Sequence, residues 1–339
     1  MNIKYYASEQ WTKYLVFIGL GFIAISLCQI ASKDWTNYIN WFNRDAILSW
    51  QVMWESSSFF TERLYFFSEK FFGELIGFSL FIALTTLVLL TVKLNYLVKI
   101  VGHIGLACFF YSCLYLFLFE ATVLRVAFAT ALVIPAFYYL REQRFIISVL
   151  LILLATQIQL TSIVFLLIYP LYFIRRLNVL IFAVFVISPI VVITRFSVFD
   201  GLVSITNLFT DKYQIYNVIY YIGHQNTTGL YFYFIGFFYL LIFALLYFLR
   251  DSWLNDPFKQ TLLSLAMLAV ILMCFFHDHV AVGARLGELL LISLVPLLSW
   301  LYLYFKGQGN KWASYGLLMM FSGYGLARFV YLFPSLFFH

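Results

Sequence analysis

A short polar stretch between two apolar segments carries the side chains best suited to acid–base chemistry. It holds His277, Asp278 and His279, followed by Arg285 and Glu288. A histidine beside a carboxylate is a common arrangement for a general base with an orienting neighbour, and residues three apart on a helix lie side by side. The spacing His-x-His beside an aspartate also permits a metal ion, but the sequence places no third or fourth ligand. The alternative interpretation is a plain polar turn, and we predict no metal site.

The remaining sequence is too apolar for a soluble protein. Of the 339 residues, 64% are hydrophobic and 11% are charged, whereas about a quarter of a soluble domain is charged. The uncharged runs are long enough for helices that cross a hydrocarbon layer of ~30 Å, and a transmembrane barrel would instead alternate in segments of about 10 residues. The sequence therefore predicts an all-α, polytopic integral membrane protein with a single membrane domain over residues 1–339.

The uncharged windows predict about 11 transmembrane helices. Nine are simple windows, at about 14–31, 75–92, 100–119, 122–140, 177–194, 230–249, 260–276, 286–305 and 312–331. The window between Arg144 and Arg175 is long for one span and short for two, and Gln157 and Gln159 lie near its middle. Polar residues at that depth favour two short helices that meet at a polar apex. If this window were a single pass, every later loop would lie on the opposite side of the membrane.

Basic residues predict the orientation, because Lys and Arg near helix ends are retained in the cytoplasm. With the N-terminus inside, the inner segments hold twelve of the 21 basic residues, two in each. Two long external segments result, residues 32–74 and 195–229. The first holds 13 aromatic residues and four of the eight tryptophans, so we expect an interfacial amphipathic helix, a platform that stacks on sugars, or both.

Six of the nine basic residues left for the outer face are arginines: Arg44, Arg63, Arg125, Arg195, Arg285 and Arg328. A guanidinium group is planar and can grip two phosphate oxygens at once, unlike an ammonium group. Arg125 is the sharpest candidate, because it opens an apolar helix at the outer interface. The structural alternative is that Arg125 extends to the interface or pairs with Glu120. His224 lies in a tyrosine-rich external stretch and fits an ordinary loop histidine.

Four short motifs follow one another along the chain. The first two are Asp34-Trp-Thr-Asn-Tyr38-Ile-Asn-Trp-Phe42 and Glu62-Arg-Leu-Tyr65. The third is Arg125 opening a helix with Ala129, followed by the basic turn Arg141 to Arg144 and by Ala155 to Ser162, and the fourth is Gly283-Ala-Arg285-Leu opening a helix that ends near Pro296. With these motifs the sequence resembles the Wzy-type polymerases of bacterial surface polysaccharides, in particular their EpsG-like branch. The resemblance implies a GT-C-like helical architecture and a glycosyltransferase of the bacterial cytoplasmic (inner) membrane, with its active site facing the periplasm or exterior.

The implied reaction joins repeat units carried on undecaprenyl pyrophosphate, as in O-antigen or capsule synthesis, with inversion and without a metal or other cofactor. The expected partners are the lipid-linked oligosaccharides, membrane lipid, a chain-length regulator and a flippase, but no nucleic acid. An O-antigen ligase or another polyprenyl-phosphate-dependent glycosyltransferase is the second hypothesis. A non-enzymatic flippase or transporter is the third, and it would require ionisable groups at mid-depth in the membrane, whereas the charges here gather at the outer end.

The site residues follow from these roles. Arg125 and Arg285, with Arg195, would bind the pyrophosphate. The family commonly has a histidine two residues before Ser or Thr at the polar apex, but Gln159 precedes Thr161 here, and glutamine is no base. We therefore predict His279, His277 or Asp278 as the base unless the apex histidine only donates hydrogen bonds. The predicted sugar-binding residues are Gln157, Gln159, Asp34, Glu62, Trp35, His224 and Glu288.

Overall fold

The computed structural model describes residues 3–32, 35–56, 63–196, 228–253 and 256–337, and helices form nearly all of these ranges. No β-strand occurs in these ranges. The helices are α1 (Ile3–Ala31), α2 (Trp35–Ile47), α3 (Trp50–Ser56), α4 (Arg63–Leu75), α5 (Phe78–Val101), α6 (Ile104–Tyr111), α7 (Leu124–Arg141), α8 (Phe145–Thr156), α9 (Ile168–Phe173), α10 (Arg175–Ile193), α11 (Thr228–Trp253), α12 (Pro257–Phe275), α13 (Val280–Leu290), α14 (Leu294–Gly307) and α15 (Lys311–Leu332). A π-helix spans Ser112–Glu120, and 3₁₀ helices span Leu160–Leu167, Leu291–Ser293 and Pro334–Leu336. The predicted all-α class is confirmed.

Seven helical segments in the described ranges are long and apolar enough to cross a membrane: Trp11–Ile30, Phe78–Val101, Leu124–Arg141, Arg175–Ile193, Gly229–Asp251, Pro257–Phe275 and Val282–Gly307. Three shorter apolar segments accompany them, Ile104–Glu120, Phe145–Thr156 and Leu160–Phe173. The protein is thus a polytopic membrane protein. The sequence predicted about 11 spans from the same windows, and the structure supports seven by length and composition; α15 is 22 residues long but is not among them.

The window of residues 145–174 folds around a turn at its polar centre, as the sequence predicted. Helix α8 ends at Thr156, the turn holds Gln157 to Gln159, and a 3₁₀ helix begins at Leu160. At the end of α8, the backbone N–H of Gln157 donates to the carbonyl oxygen of Leu154, and that of Gln159 donates to the carbonyl oxygen of Ala155.

The chain divides into two compact units. The first unit comprises Met1–Leu166 with Leu298–His339, and the second comprises Leu167–Leu297. In the first unit, α7 packs against α5 and α8, while α2 packs against α4. In the second unit, α12 is central and packs against α9, α10, α11 and α13.

Helix α7 is the core helix of the first unit, because 72% of its span is buried, compared with 17% for α10 of the second unit. Small residues at Ala127, Ala129 and Ala131 are fully buried and let neighbouring helices approach closely. The helix that carries Arg125 at its first turn is therefore held firmly along its length.

Helix α5 continues through Lys93, which follows the predicted span of about 75–92 and was therefore assigned to an inner, cytoplasmic loop. Lys93 is fully buried and donates to the carboxylate of Glu120 and, at 2.8 Å, to the carbonyl oxygen of Ala127. The hydroxyl of Tyr111 also donates to Glu120. A buried charge persists only when it is paired and hydrogen-bonded, and Glu120 supplies that partner from 27 residues further along the chain. The loop assignment of Lys93 was wrong for this reason.

Candidate functional site

Arg125 lies in a box of aromatic rings at the start of α7. Its guanidinium carbon is 4.8 Å from the ring centroid of Trp41 on α2. The rings of Tyr65 and Phe66 on α4 follow at 5.0 and 5.5 Å. Such cation–π contacts attract a guanidinium without cancelling its charge. The carboxylate of Glu120, the alternative partner predicted for Arg125, accepts hydrogen bonds from Lys93 and Tyr111.

Helices α2 and α4 form one wall of this site, and a glycine lets them touch. A side chain at Gly73 would bring its Cβ within 2.6 Å of the Cβ of Ala46, a distance that two carbon atoms do not tolerate. The close approach places two acidic residues, Asp45 of α2 and Glu69 of α4, in the same buried environment.

Both carboxyl groups are almost completely buried, with Asp45 1% exposed and Glu69 fully enclosed. Oδ1 of Asp45 accepts a hydrogen bond from Nε of Arg44 at 2.7 Å. The other oxygen of Asp45, both oxygens of Glu69 and the hydroxyl of Tyr65 have no partner of full hydrogen-bond geometry within the described part of the chain. Buried polar atoms are rarely left so, which distinguishes this cluster from ordinary core packing.

The electrostatics of the cluster favour a neutral Glu69. Helix α4 lies outside the seven candidate spans. Burial raises the pKa of the Glu69 carboxyl to about 8, and the neighbouring Asp45 adds to the rise, while Tyr65 and Arg125 oppose it. Asp45 and Tyr65 act on Glu69 through proximity, although no pair meets full hydrogen-bond geometry. Burial, with the nearby Glu69, also raises the pKa of Tyr65 well above its usual value.

The polar apex contacts the same region. The carbonyl oxygen of Gln157 accepts hydrogen bonds from the backbone N–H groups of Leu64 at 3.0 Å and Tyr65 at 3.4 Å. These are first-turn donors of α4, which have no partner within their own helix. The apex therefore anchors the first turn of α4, the helix that carries Tyr65 and Phe66 of the aromatic box.

Two other predicted residues of the first unit lie near these elements. The side-chain nitrogen of Gln159 donates to the hydroxyl of Thr161 at 3.2 Å. Trp35, at the start of α2, packs against Phe78 with ring centroids 4.8 Å apart.

The predicted acid–base residues lie in the second unit, at the turn between α12 and α13. His277 is buried, with Nδ1 3.0 Å from the carbonyl oxygen of Cys274. Its Nε2 lies 2.9 Å from Oδ1 of Asp278, although the angles are not those of a hydrogen bond. The predicted neighbouring carboxylate is therefore present. His279 begins α13, since its carbonyl oxygen accepts from Val282 and Gly283.

The remaining predicted residues fall into two groups. Arg285 is exposed on α13, three residues from Glu288, and Arg195 is exposed at the end of α10 with a φ of +55°. Asp34, Glu62 and His224 lie outside the described residues. A cavity shared by Arg125 of the first unit and Arg285 of the second stays a prediction.

Asp45 and Glu69 were not among the residues predicted from the sequence, and Trp41 was predicted only as one of the four tryptophans of residues 32–74. A signal for Asp45 was available, because Tyr38, Phe42 and Asp45 are spaced four and three residues apart and form the buried face of α2. Tyr65 and Glu69 are similarly four apart on α4. An acidic residue in the apolar register of an amphipathic helix indicates a buried carboxyl group that needs an explanation.

Metal ligands do not converge in the described ranges: no group of three or more His, Cys, Asp or Glu residues there could hold a metal ion. The protein is a polytopic helical membrane protein whose first unit holds an arginine in an aromatic box at the end of a core helix. Its sequence matches the pattern of the EpsG family over residues 11–337, and the chain belongs to that family. The resemblance to the Wzy/EpsG-like polymerases is thereby confirmed. No curated protein and no solved structure matches the chain.

Proposed function

We propose that this protein is a polysaccharide polymerase that joins oligosaccharide repeat units carried on undecaprenyl pyrophosphate, at the outer face of the bacterial cytoplasmic membrane. Membership of the EpsG family supports a membrane polymerase. The observation that carries the proposal is the aromatic box around Arg125, because it holds a guanidinium at a helix start beside rings that can stack on sugars. We assign Trp41 and Phe66, with Gln157, to the saccharide end of the substrate.

The proposed reaction is one inverting displacement at the sugar carbon attached to pyrophosphate. An acceptor hydroxyl oxygen forms the new bond to this carbon while the bond to the pyrophosphate oxygen breaks, and the carbon inverts. The hydroxyl proton passes to a base, for which His279, His277 and Asp278 remain the candidates. Undecaprenyl pyrophosphate leaves with the bonding electrons, and Arg125, Arg285 and Arg195 would stabilise its charge without a metal ion.

The lipid tail would bind along apolar helix surfaces. Within the first unit, a groove of about 760 Å³ runs between α1, the π-helix and α15. Phe22, Phe117 and Leu326 are among its lining residues, so its chemistry suits an isoprenoid chain.

One observation bears on the flippase hypothesis. Lys93 and Glu120 are ionisable groups inside apolar helices, which a transporter would place along its path. Both are closed off from solvent and bonded to each other. They join α5 to the π-helix, and Lys93 also donates to Ala127 of α7, so the pair supports helix packing rather than passage of a substrate.

The test uses the purified protein in liposomes with lipid-linked repeat unit extracted from a strain in which its gene is deleted. Arg125→Ala should leave the protein folded but reduce chain growth by about 10²- to 10³-fold, the usual loss when one transition-state charge donor is removed. Arg328→Ala is the matched control, because Arg328 also lies over a ring, 5.7 Å from the centroid of Tyr324, and it should retain long chains. Product length is read from a glycan gel.

Full-length polymer from Arg125→Ala would remove Arg125 from the site. A wild-type protein that makes no polymer until a second, non-prenyl acceptor is added would identify a ligase. Transfer of the lipid-linked unit across the bilayer without any new glycosidic bond would identify a flippase.

A further inference from the structure

A buried ion pair connects the two parts of the chain that flank Arg125. Glu120 is the last residue of the π-helix, and Ala127 lies near the start of α7, two residues after Arg125. The ammonium group of Lys93, on α5, donates to the carboxylate of Glu120 and, at 2.8 Å, to the carbonyl oxygen of Ala127. One side chain of α5 therefore binds the chain both before and after the point at which Arg125 enters α7.

The start of α7 has no capping side chain of its own. The first N–H groups of a helix have no partner within it, and a Ser, Thr, Asp or Asn side chain at the N-cap position commonly binds one of them. Val123 occupies that position here, with no side-chain acceptor and with a non-helical backbone at φ −108° and ψ 69°. The contacts of Lys93 restrain a helix start that lacks this cap.

These contacts are closed off from water. Lys93 and Tyr111 are fully buried, and Glu120 and Ala127 are each 1% exposed. The hydroxyl of Tyr111 donates a second hydrogen bond to Glu120 and so holds the carboxylate in place. Hydrogen bonds to charged groups are stronger than neutral ones, and solvent does not compete for them in a buried site. The turn between the π-helix and α7 is therefore held firmly from the side of α5.

The aromatic box contacts Arg125 from other helices. Trp41 belongs to α2, and Tyr65 and Phe66 belong to α4. These rings attract the guanidinium group at the end of a long side chain, but the backbone of α7 decides where that side chain begins. A shift of about 1 Å in a group that binds the reacting part of a substrate can reduce the rate about a hundredfold.

We propose that Lys93 and Glu120 are positioning residues for Arg125. They fix the start of α7 and thereby keep the guanidinium in the aromatic box, where it meets the diphosphate of the lipid-linked substrate. The diphosphate part of this inference rests on the proposed function. Neither Lys93 nor Glu120 touches the substrate or exchanges a proton with it.

The test variant is Lys93→Met with Glu120→Gln. It leaves no unpaired ion in the core, and the glutamine still offers an acceptor to the hydroxyl of Tyr111, but no side chain of α5 then donates to the carbonyl oxygen of Ala127. If this variant does not fold, Lys93→Gln with Glu120→Gln replaces it, because the glutamine amide is one bond shorter than the ammonium group and should release that carbonyl oxygen.

The first measurement is the rate at which phenylglyoxal modifies Arg125, read by mass spectrometry without any substrate. Arg125 is half-buried, and the exposed Arg285 of the same molecule serves as the reference. A hydrogen bond from a charged donor shifts a local equilibrium by about tenfold to a hundredfold. The relative rate at Arg125 should therefore rise by at least about tenfold in the test variant.

The matched control is Thr130→Val. The hydroxyl of Thr130 donates to the same carbonyl oxygen of Ala127 at 2.9 Å, but it belongs to α7 and connects no second element. Glu142→Gln, at an exposed residue that follows α7, is the surface control. Both controls should retain the wild-type modification rate at Arg125.

The second measurement is a double-mutant cycle on the binding of undecaprenyl pyrophosphate. The test variant should weaken binding by about tenfold or more in the wild-type background, and by nothing further in an Arg125→Ala background, because Lys93 and Glu120 act through Arg125. A merely structural role predicts equal losses in both backgrounds.

The outcomes separate the inference from the proposed function. An unchanged modification rate at Arg125 in a folded test variant would overturn the inference, as would binding losses that add in the Arg125→Ala background. If Arg125→Ala alone binds undecaprenyl pyrophosphate as tightly as the wild type, the role that the proposed function gives Arg125 fails. In that case the modification rate still decides whether Lys93 and Glu120 position Arg125: a faster rate supports it and an equal rate rejects it.

Discussion

The ion pair of Lys93 and Glu120 is expected to be a strongly coupled buried contact of the first unit, in which loss of one partner is costly. Both side chains are at most 1% exposed, and Lys93 also reaches the carbonyl oxygen of Ala127 at 2.8 Å. Glu120→Gln leaves an acceptor for the hydroxyl of Tyr111 but leaves the ammonium of Lys93 buried without a counter-charge. Breaking a buried pair in this way costs about 3–5 kcal/mol of unfolding free energy.

Removing the cation as well as the anion shows whether the unpaired charge causes this loss of unfolding free energy. Lys93→Met removes the cation and replaces it with an apolar side chain of similar length. The double variant Lys93→Met with Glu120→Gln contains neither buried charge, so it leaves no unpaired ion in the core. We therefore expect the double variant to recover at least about 2 kcal/mol relative to the sum of the single losses.

The assay is equilibrium unfolding in mixed detergent micelles, followed by tryptophan fluorescence, with all four members of the cycle measured at one pH. Glu142→Gln serves as the surface control and should change stability by no more than about 0.5 kcal/mol. A loss below about 1 kcal/mol for Glu120→Gln, or single losses that simply add in the double variant, would refute the claim that the pair is a coupled buried contact.

Two further predictions concern the reaction. Both Arg285→Lys and Arg285→Ala should be impaired in chain growth, because an ammonium group cannot bind two phosphate oxygens at once as a guanidinium does. If the lysine variant gave wild-type product length on a glycan gel, positive charge alone would suffice. Polymerisation in liposomes should continue after a chelator such as EDTA is added, since guanidinium groups supply the positive charge. Loss of activity with the chelator and its recovery with magnesium would contradict the metal-independent mechanism.

The sequence by itself determined the class of the protein and several of its local features. Long uncharged windows are costly to expose to water, so they specify apolar helices without reference to any partner. The turn at Gln157 to Gln159 was predictable for the same local reason, because polar side chains interrupt an apolar window. Arg125 was predictable as an anion-binding candidate from its position at the start of a helix.

Tertiary structure decided the surroundings of the charged residues. A lysine in an apolar sequence predicts a loop, because burying an unpaired charge is unfavourable. Lys93 is buried because Glu120 supplies a counter-charge from a distant part of the sequence. Likewise, an isolated Glu69 on an amphipathic helix gives no sign that Asp45 and Arg125 will lie beside it. The energy of a charge depends on groups that are distant in sequence and close in space, which is why the helices were predictable and the electrostatics of the site were not.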